Sequence, residues 1–130
     1  QNKILEHTLG KTSFTMPAGC YVGLFTANPS DAGGGTEVVT TGGTLYARKQ
    51  VLAGEWGTAA GSPGSISNTA DITFPVAGAS WGTITAIAIF DSAIGGTNNM
   101  LWWGTLSASK AIALNDQFKI AIGNLTITLD

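Results

Sequence analysis

A chain of 130 residues can close one domain around a single hydrophobic core and is short for two. Charged residues make up 11% against 44% hydrophobic, and six Lys and Arg stand against eight Asp and Glu, a net charge of −2. With no basic cluster beyond Arg48-Lys49, nothing forms the electrostatic footprint of a nucleic-acid or anionic-membrane partner.

The single cysteine, Cys20, excludes an intrachain disulfide and a multi-cysteine zinc cluster. No run approaches the roughly 18 uninterrupted apolar residues of a membrane span, and the polar start "QNKILEHTLG" lacks the apolar core of a signal peptide. A surface this poor in charge and rich in Gly, Thr, Ser, Asn and Ala suits a protein that packs among neighbours.

In chain order, "NKILEHTLG" is the one helical segment. Ile4, Leu5 and Leu9 can share one side of two turns, and Gly10 is a natural stop. So short a helix needs something to dock on. From there the period becomes two. "CYVGLFT", "LYARKQVL", "DITFPV" and "MLWWGTL" read as strands, and Pro75 puts "DITFPV" at an edge or strand end. "TITAIAIFD" is apolar on both faces and reads as a central strand.

"FKIAI" and "NLTITL" alternate cleanly. Phe118, Ile120 and Ile122 form one face of the first, and Leu125, Ile127 and Leu129 one face of the second. Gly123-Asn124 between them predicts a tight hairpin. The breaks "NPSDAGGG", "TTGG", "AGAS" and "AIGGTNN" punctuate the strands, and "GEWGTAAGSPGSISN" reads as the longest strandless piece, an exposed mobile loop. The expected fold is all-β, an antiparallel sandwich or jelly roll over 13–130 behind a short N-terminal helical segment, 1–10.

Candidate chemistry is thin. The loop "TANPSDAGGGTEV" has neither the P-loop nor the dinucleotide-binding glycine spacing, and no clear helix follows to receive a phosphate. Asn28, Asp31 and Glu37 could offer oxygens to a hard cation, yet at a spacing foreign to calcium loops. Asp31 and Glu37 read instead as loop hydrogen-bonders. His7 is alone, which leaves a catalytic triad or zinc site nothing to build on. Cys20, with no adjacent base, reads as a small hydrophobe.

The carboxylates are scattered and form no paired acid–base motif. Asn124-Leu125-Thr126 matches a glycosylation sequon at a turn too tight to use it. Trp102 and Trp103 are neighbours in a strand and so face opposite ways, one for core and one for solvent, a sugar or a partner. Trp81 and Trp56 read as core or subunit contacts. No catalytic residue, cofactor or metal is expected.

Several segments together resemble a family of small virion proteins of tailed bacteriophages, often labelled tail-fibre-like. They are "KILEHTLGKTSFTMPAGCYVGLFTANPSDAGGGTEV", "YARKQV", "ITFPVAGASWGTITAIAIFD" and "LWWGTLSASKAIALNDQFKIAIGNLTITLD". The family pattern runs from a helix to "YVxLFTAxPxDxGGGTEV", "YAR", "ITFPxAxxxWGTITxxxIFD" and "LxWGxLxxxKxxxxGDxxxxxxGxLxITLD". This chain departs from it at Asn115, where Gly is commoner, and the loops Thr40 to Gly43 and Gly54 to Asn68 vary.

Related small sandwich proteins serve as capsid decoration (cement) proteins. The resemblance therefore implies a non-enzymatic virion protein that cements the head exterior, with the major capsid protein as partner and a homo-oligomer, dimer or trimer, as its assembly. The alternative is a tail-fibre or receptor-binding module that recognises host glycans. Contact residues expected on that basis are Ile4, Leu5 and Leu9 of the helix, Asp31 and Glu37 of the glycine loop, and Arg48, Trp81, Trp102 and Trp103.

Overall fold

The computed structural model describes residues 2–15, 18–94 and 100–129. After a helix α1 (Asn2–Thr8) the chain forms β1 (Gly19–Ala27), β2 (Thr36–Glu37), β3 (Lys49–Leu52), a 3-10 turn (Ala53–Glu55), β4 (Gly64–Ser67) and β5 (Ile72–Val76). Then come β6 (Gly82–Phe90), β7 (Met100–Ile112), β8 (Gln117–Ile120) and β9 (Thr126–Leu129). All pairings are antiparallel. The large sheet runs β2-β1-β6-β7 with β3 added to β1, and two small sheets, β4-β9 and β5-β8, complete the sandwich.

The period of two decides the layers. Val22 and Leu24 of β1, Val51 of β3, and Ile87 and Ile89 of β6 belong to the main core, with Ile72 and Phe74 of β5 and Phe118 and Ile120 of β8. Each such buried side chain stabilises the fold by about 1.5–3 kcal/mol over leaving it in water. Phe74 meets Phe118 edge-on at 5.8 Å, and Tyr46 meets Trp81 edge-on at 5.4 Å. The Trp81 indole donates to the Thr44 carbonyl at 2.8 Å, so its burial leaves no orphan N–H.

β6 is the central strand its two apolar faces predicted, lying between β1 and β7. Its second face carries Ala86, Ala88 and Phe90, which form a smaller buried cluster with Phe25. β5 is indeed one strand of a two-stranded sheet, and its pairing with β8 shifts register between Thr73 and Val76, around Pro75.

Four expectations need correction. Gly123-Asn124 is a turn but joins two different sheets, because β8 pairs with β5 and β9 with β4. A buried Asn68 makes this corner: its amide donates to Ala121 O at 3.0 Å and its Oδ1 accepts from Leu125 N at 2.9 Å. Ile122 therefore lies on the turn and is exposed, and Leu129 is exposed on the short sheet. The 54–68 stretch is not strandless: it contains β4, and Ala60 bridges Ser65.

The segment "LYARKQVL" is a strand only from Lys49, whereas "MLWWGTL" extends into a 13-residue strand. In that strand Leu106 to Ser109 stand opposite Thr85 alone, a wide bulge on the sheet's edge. The end of the break "AIGGTNN" lies outside the described residues.

Asn115 has φ +68°, the left-handed conformation that Asn adopts more readily than other non-glycine residues. The exchange at this position thus keeps the turn. Gly10, at φ +72°, ends α1 as its position predicted. On α1, Ile4 is half-buried while Leu5 and Leu9 are exposed.

Candidate functional site

Glu37 of the glycine loop, Tyr46 and Arg48 of the "YAR" segment and Phe90 of the "IFD" segment converge beside β1 and β2. β2 pairs Glu37 with Phe25, and β1 pairs Tyr21 with Phe90 of β6. Between them lies Gly23, where a Cβ would stand 2.9 Å from Glu37 Oε1 and 3.1 Å from the Phe90 ring. Only a residue without a side chain lets the carboxylate lie this close to the sheet.

Glu37 Oε1 accepts from Tyr46 Oη at 2.8 Å and from Arg48 Nε at 2.8 Å, and Oε2 accepts from Arg48 Nη2 at 2.7 Å. The Tyr46 hydroxyl accepts in turn from the Leu24 backbone N–H at 2.9 Å. Arg48 Nη1 donates to the carbonyls of Ser92 at 3.1 Å and Ile94 at 3.3 Å, and its Cζ sits 3.4 Å from the centroid of the Phe90 ring. A two-point ion pair stacked on an aromatic face is the strongest form this pairing takes. Burial, and then the negative charge of Glu37, pushes the Tyr46 phenol above its ordinary range. The chain of bonds is a lock between β1, β2 and the segment after β6, with neither a nucleophile nor a free base in it.

An open depression of about 380 Å³ lies above this lock, lined by Glu37 to Thr41, Tyr46 to Arg48 and Ala93. The charged groups in its lining are the ones already bonded to each other.

The glycine loop is folded onto itself. Ser30 and Gly33 exchange backbone hydrogen bonds at 3.0 and 2.8 Å, and Gly33, Gly34 and Gly35 have φ of +90°, +81° and +75°. At Gly35 a Cβ would meet Ala27 O and Pro29 N, each at 2.7 Å. The three oxygen-bearing side chains diverge. Asn28 accepts from Thr85 Oγ1 at 2.8 Å, Asp31 from Trp103 Nε1 at 3.0 Å, and Glu37 from Tyr46 and Arg48. Asp31 and Glu37 act as loop hydrogen-bonders. No group of three or more His, Cys, Asp and Glu side chains gathers as a metal site among the described residues.

Of the nine residues expected at contacts, Asp31, Glu37, Arg48 and Trp103 share this region and bond within the chain. Trp103 packs on the Phe25, Ala86, Ala88 and Phe90 cluster, opposite Ala88, whereas Trp102 pairs with Ile89 and takes the other face. Trp81 lies in the main core, and Trp56 is half-buried against it. These positions leave Trp81 and the Arg48 side chain, 4% exposed, little surface for a partner. Leu5 and Leu9 keep most of theirs.

His7 Nδ1 accepts from the Phe14 N–H at 3.1 Å, closing the turn after α1. Cys20 is half-buried against the main core, and burial followed by the charge of Asp91 raises its thiol pKa, away from nucleophilic character. Sequence reasoning missed Tyr46, Gly23 and Phe90 as members of the lock, although "YAR" and "IFD" stood out as segments. It missed Asn68 altogether, since a lone Asn among loop residues carries no local signal.

Comparison with curated proteins finds no match. The family model described as Podophage GP4 fiber I protein gp80 matches residues 1–128. The chain belongs to that family and is a structural protein of the tailed-phage virion.

Proposed function

We propose that the chain is a non-enzymatic structural module of the virion's fibre, a rigid sandwich that fills a position in the tail assembly. The observation that carries the structural role is the lock itself. The acid, base and phenol that an active site would deploy are here hydrogen-bonded to one another and to backbone carbonyls. The fibre assignment rests on the whole-chain match to a fibre family.

The competing reading is a decoration protein seated on the major capsid protein. Low charge and, among the described residues, ten large exposed hydrophobic side chains suit either setting, since both surround the module with neighbours. Particles assembled without the chain separate the two. The fibre reading expects unchanged resistance to heat and osmotic shock with reduced adsorption to host cells. Loss of particle stability with normal adsorption favours the decoration reading, because a cement protein stabilises the shell by mass action.

A further inference from the structure

β7 ends the large sheet. It pairs with β6 along one edge, and among the described residues no strand pairs along the other. Its 13 residues are more than twice a usual strand of about 5–6.

Two register shifts divide this edge. Leu101 falls in one, between the partners of Ile89 and Phe90, and Leu106 to Ser109 fall in the other. Such bulges keep a sheet edge from pairing. Between them Trp102, Trp103, Gly104 and Thr105 pair one for one with Ile89, Ala88, Ile87 and Ala86. That window is regular and has neither charge nor proline. Every second N–H and C=O in it points away from β6. Trp102 is half-buried there and packs on neither core cluster, whereas Trp103 packs on the smaller one.

We propose that the window Trp102 to Thr105 takes an added strand, an extended segment of a neighbouring virion polypeptide that lays an apolar side chain beside Trp102. The occupant follows from the hydrogen bonds. A row of N–H and C=O groups at strand spacing is matched in full by another extended backbone, and not by a helix or an apolar surface. Trp102 sets the side-chain preference, because aromatic and β-branched neighbours across strands stabilise each other. A second copy of this chain fits less well. The antiparallel register that keeps a copy clear of both bulges sets Trp102 against Thr105 and Trp103 against Gly104, so neither indole gains an apolar neighbour. The proposal rests on the chain's place in the virion and is the same for tail and head.

The test is a cryo-EM map of the intact particle that resolves strands. An extended chain of a different polypeptide should run beside Trp102 to Thr105, at about 4.7–4.9 Å from β7. An edge open to solvent, a helix or side chains alone against it, or a strand from a second copy each overturns the proposal. Particles made with substituted chains supply the second reading. Thr105 and Ser107 are both exposed, one inside the window and one in the bulge. Thr105→Lys, a charge on the open edge, should cut the copies per particle about tenfold or more. Ser107→Lys should leave them at the wild-type number. Equal incorporation of two variants that unfold at the wild-type midpoint overturns the proposal, and if Thr105→Lys does not fold, the map decides. A chain found on the head contradicts the fibre reading alone.

Discussion

The indole N–H of Trp103 on β7 donates to Asp31 Oδ1 in the glycine loop at 3.0 Å, across 72 positions of sequence. That bond fastens the loop over the second face of the large sheet, where Trp103 packs on Phe25, Ala86, Ala88 and Phe90. Replacing the acceptor should loosen the loop without unfolding the sandwich. Asp31→Ala is expected to cost about 0.5–1.5 kcal/mol in chemical denaturation, and Asp31→Asn, which keeps an oxygen at the same place, should restore most of it. Equal losses in both variants would mean that the negative charge, not the bond, holds the loop.

The lock beside β2 should matter more. Arg48 is buried to 4% exposure at its side chain and has a two-point partner in Glu37. Glu37→Ala strands the guanidinium, and about 2–4 kcal/mol of stability should be lost, somewhat less than for a fully buried pair because Glu37 retains 22% exposure. Arg48→Lys keeps the charge but loses the fork and the stack on Phe90, with an expected loss of about 1–3 kcal/mol. Equilibrium unfolding of the two variants measures both.

Tyr46 links the lock to pH. Its phenol is held neutral in the folded protein, above its ordinary value, by burial and by Glu37. In the unfolded chain it ionises near about 10. Its contribution to stability is therefore complete below about pH 10 and declines as pH rises further, because only the unfolded state then releases the proton. Tyr46→Phe should flatten that decline. It should also lower stability at neutral pH by about 1–2 kcal/mol, through the lost bonds to Leu24 N–H and Glu37. Cys20 shifts in the same direction, so the titration is best run on a Cys20→Ser background.

How much of this was legible follows physical lines. Strand identity and the central place of β6 were readable because burial on one or both faces writes itself as local alternation. The stop at Gly10 and the edge character of β5 were readable because Gly and Pro act on their own backbone. Strand pairing was not. Gly123-Asn124 has hairpin chemistry, yet the strands around it part company because Asn68, more than fifty residues upstream, bonds both sides of the turn. The lock was half legible: Glu37 and Arg48 stood out by charge in a charge-poor chain. Gly23 could not, since its role exists only once Glu37 and Phe90 are folded against it.

The three glycines of the loop can be told apart by substitution. All have positive φ, but a Cβ finds open space at Gly33 and Gly34 and meets the backbone of Ala27 and Pro29 at Gly35. Gly34→Ala should cost about 1–2 kcal/mol, from conformation alone. Gly35→Ala adds a backbone clash and should lose at least about 3 kcal/mol or fold poorly, as thermal unfolding would reveal. Equal effects at the two positions would contradict the folded-back loop.

The most direct test of the account is the position of the chain on the intact particle. A cryo-EM difference map between complete virions and virions lacking this protein should show the missing density in the tail fibres. Density missing from the outer surface of the head would contradict the fibre assignment.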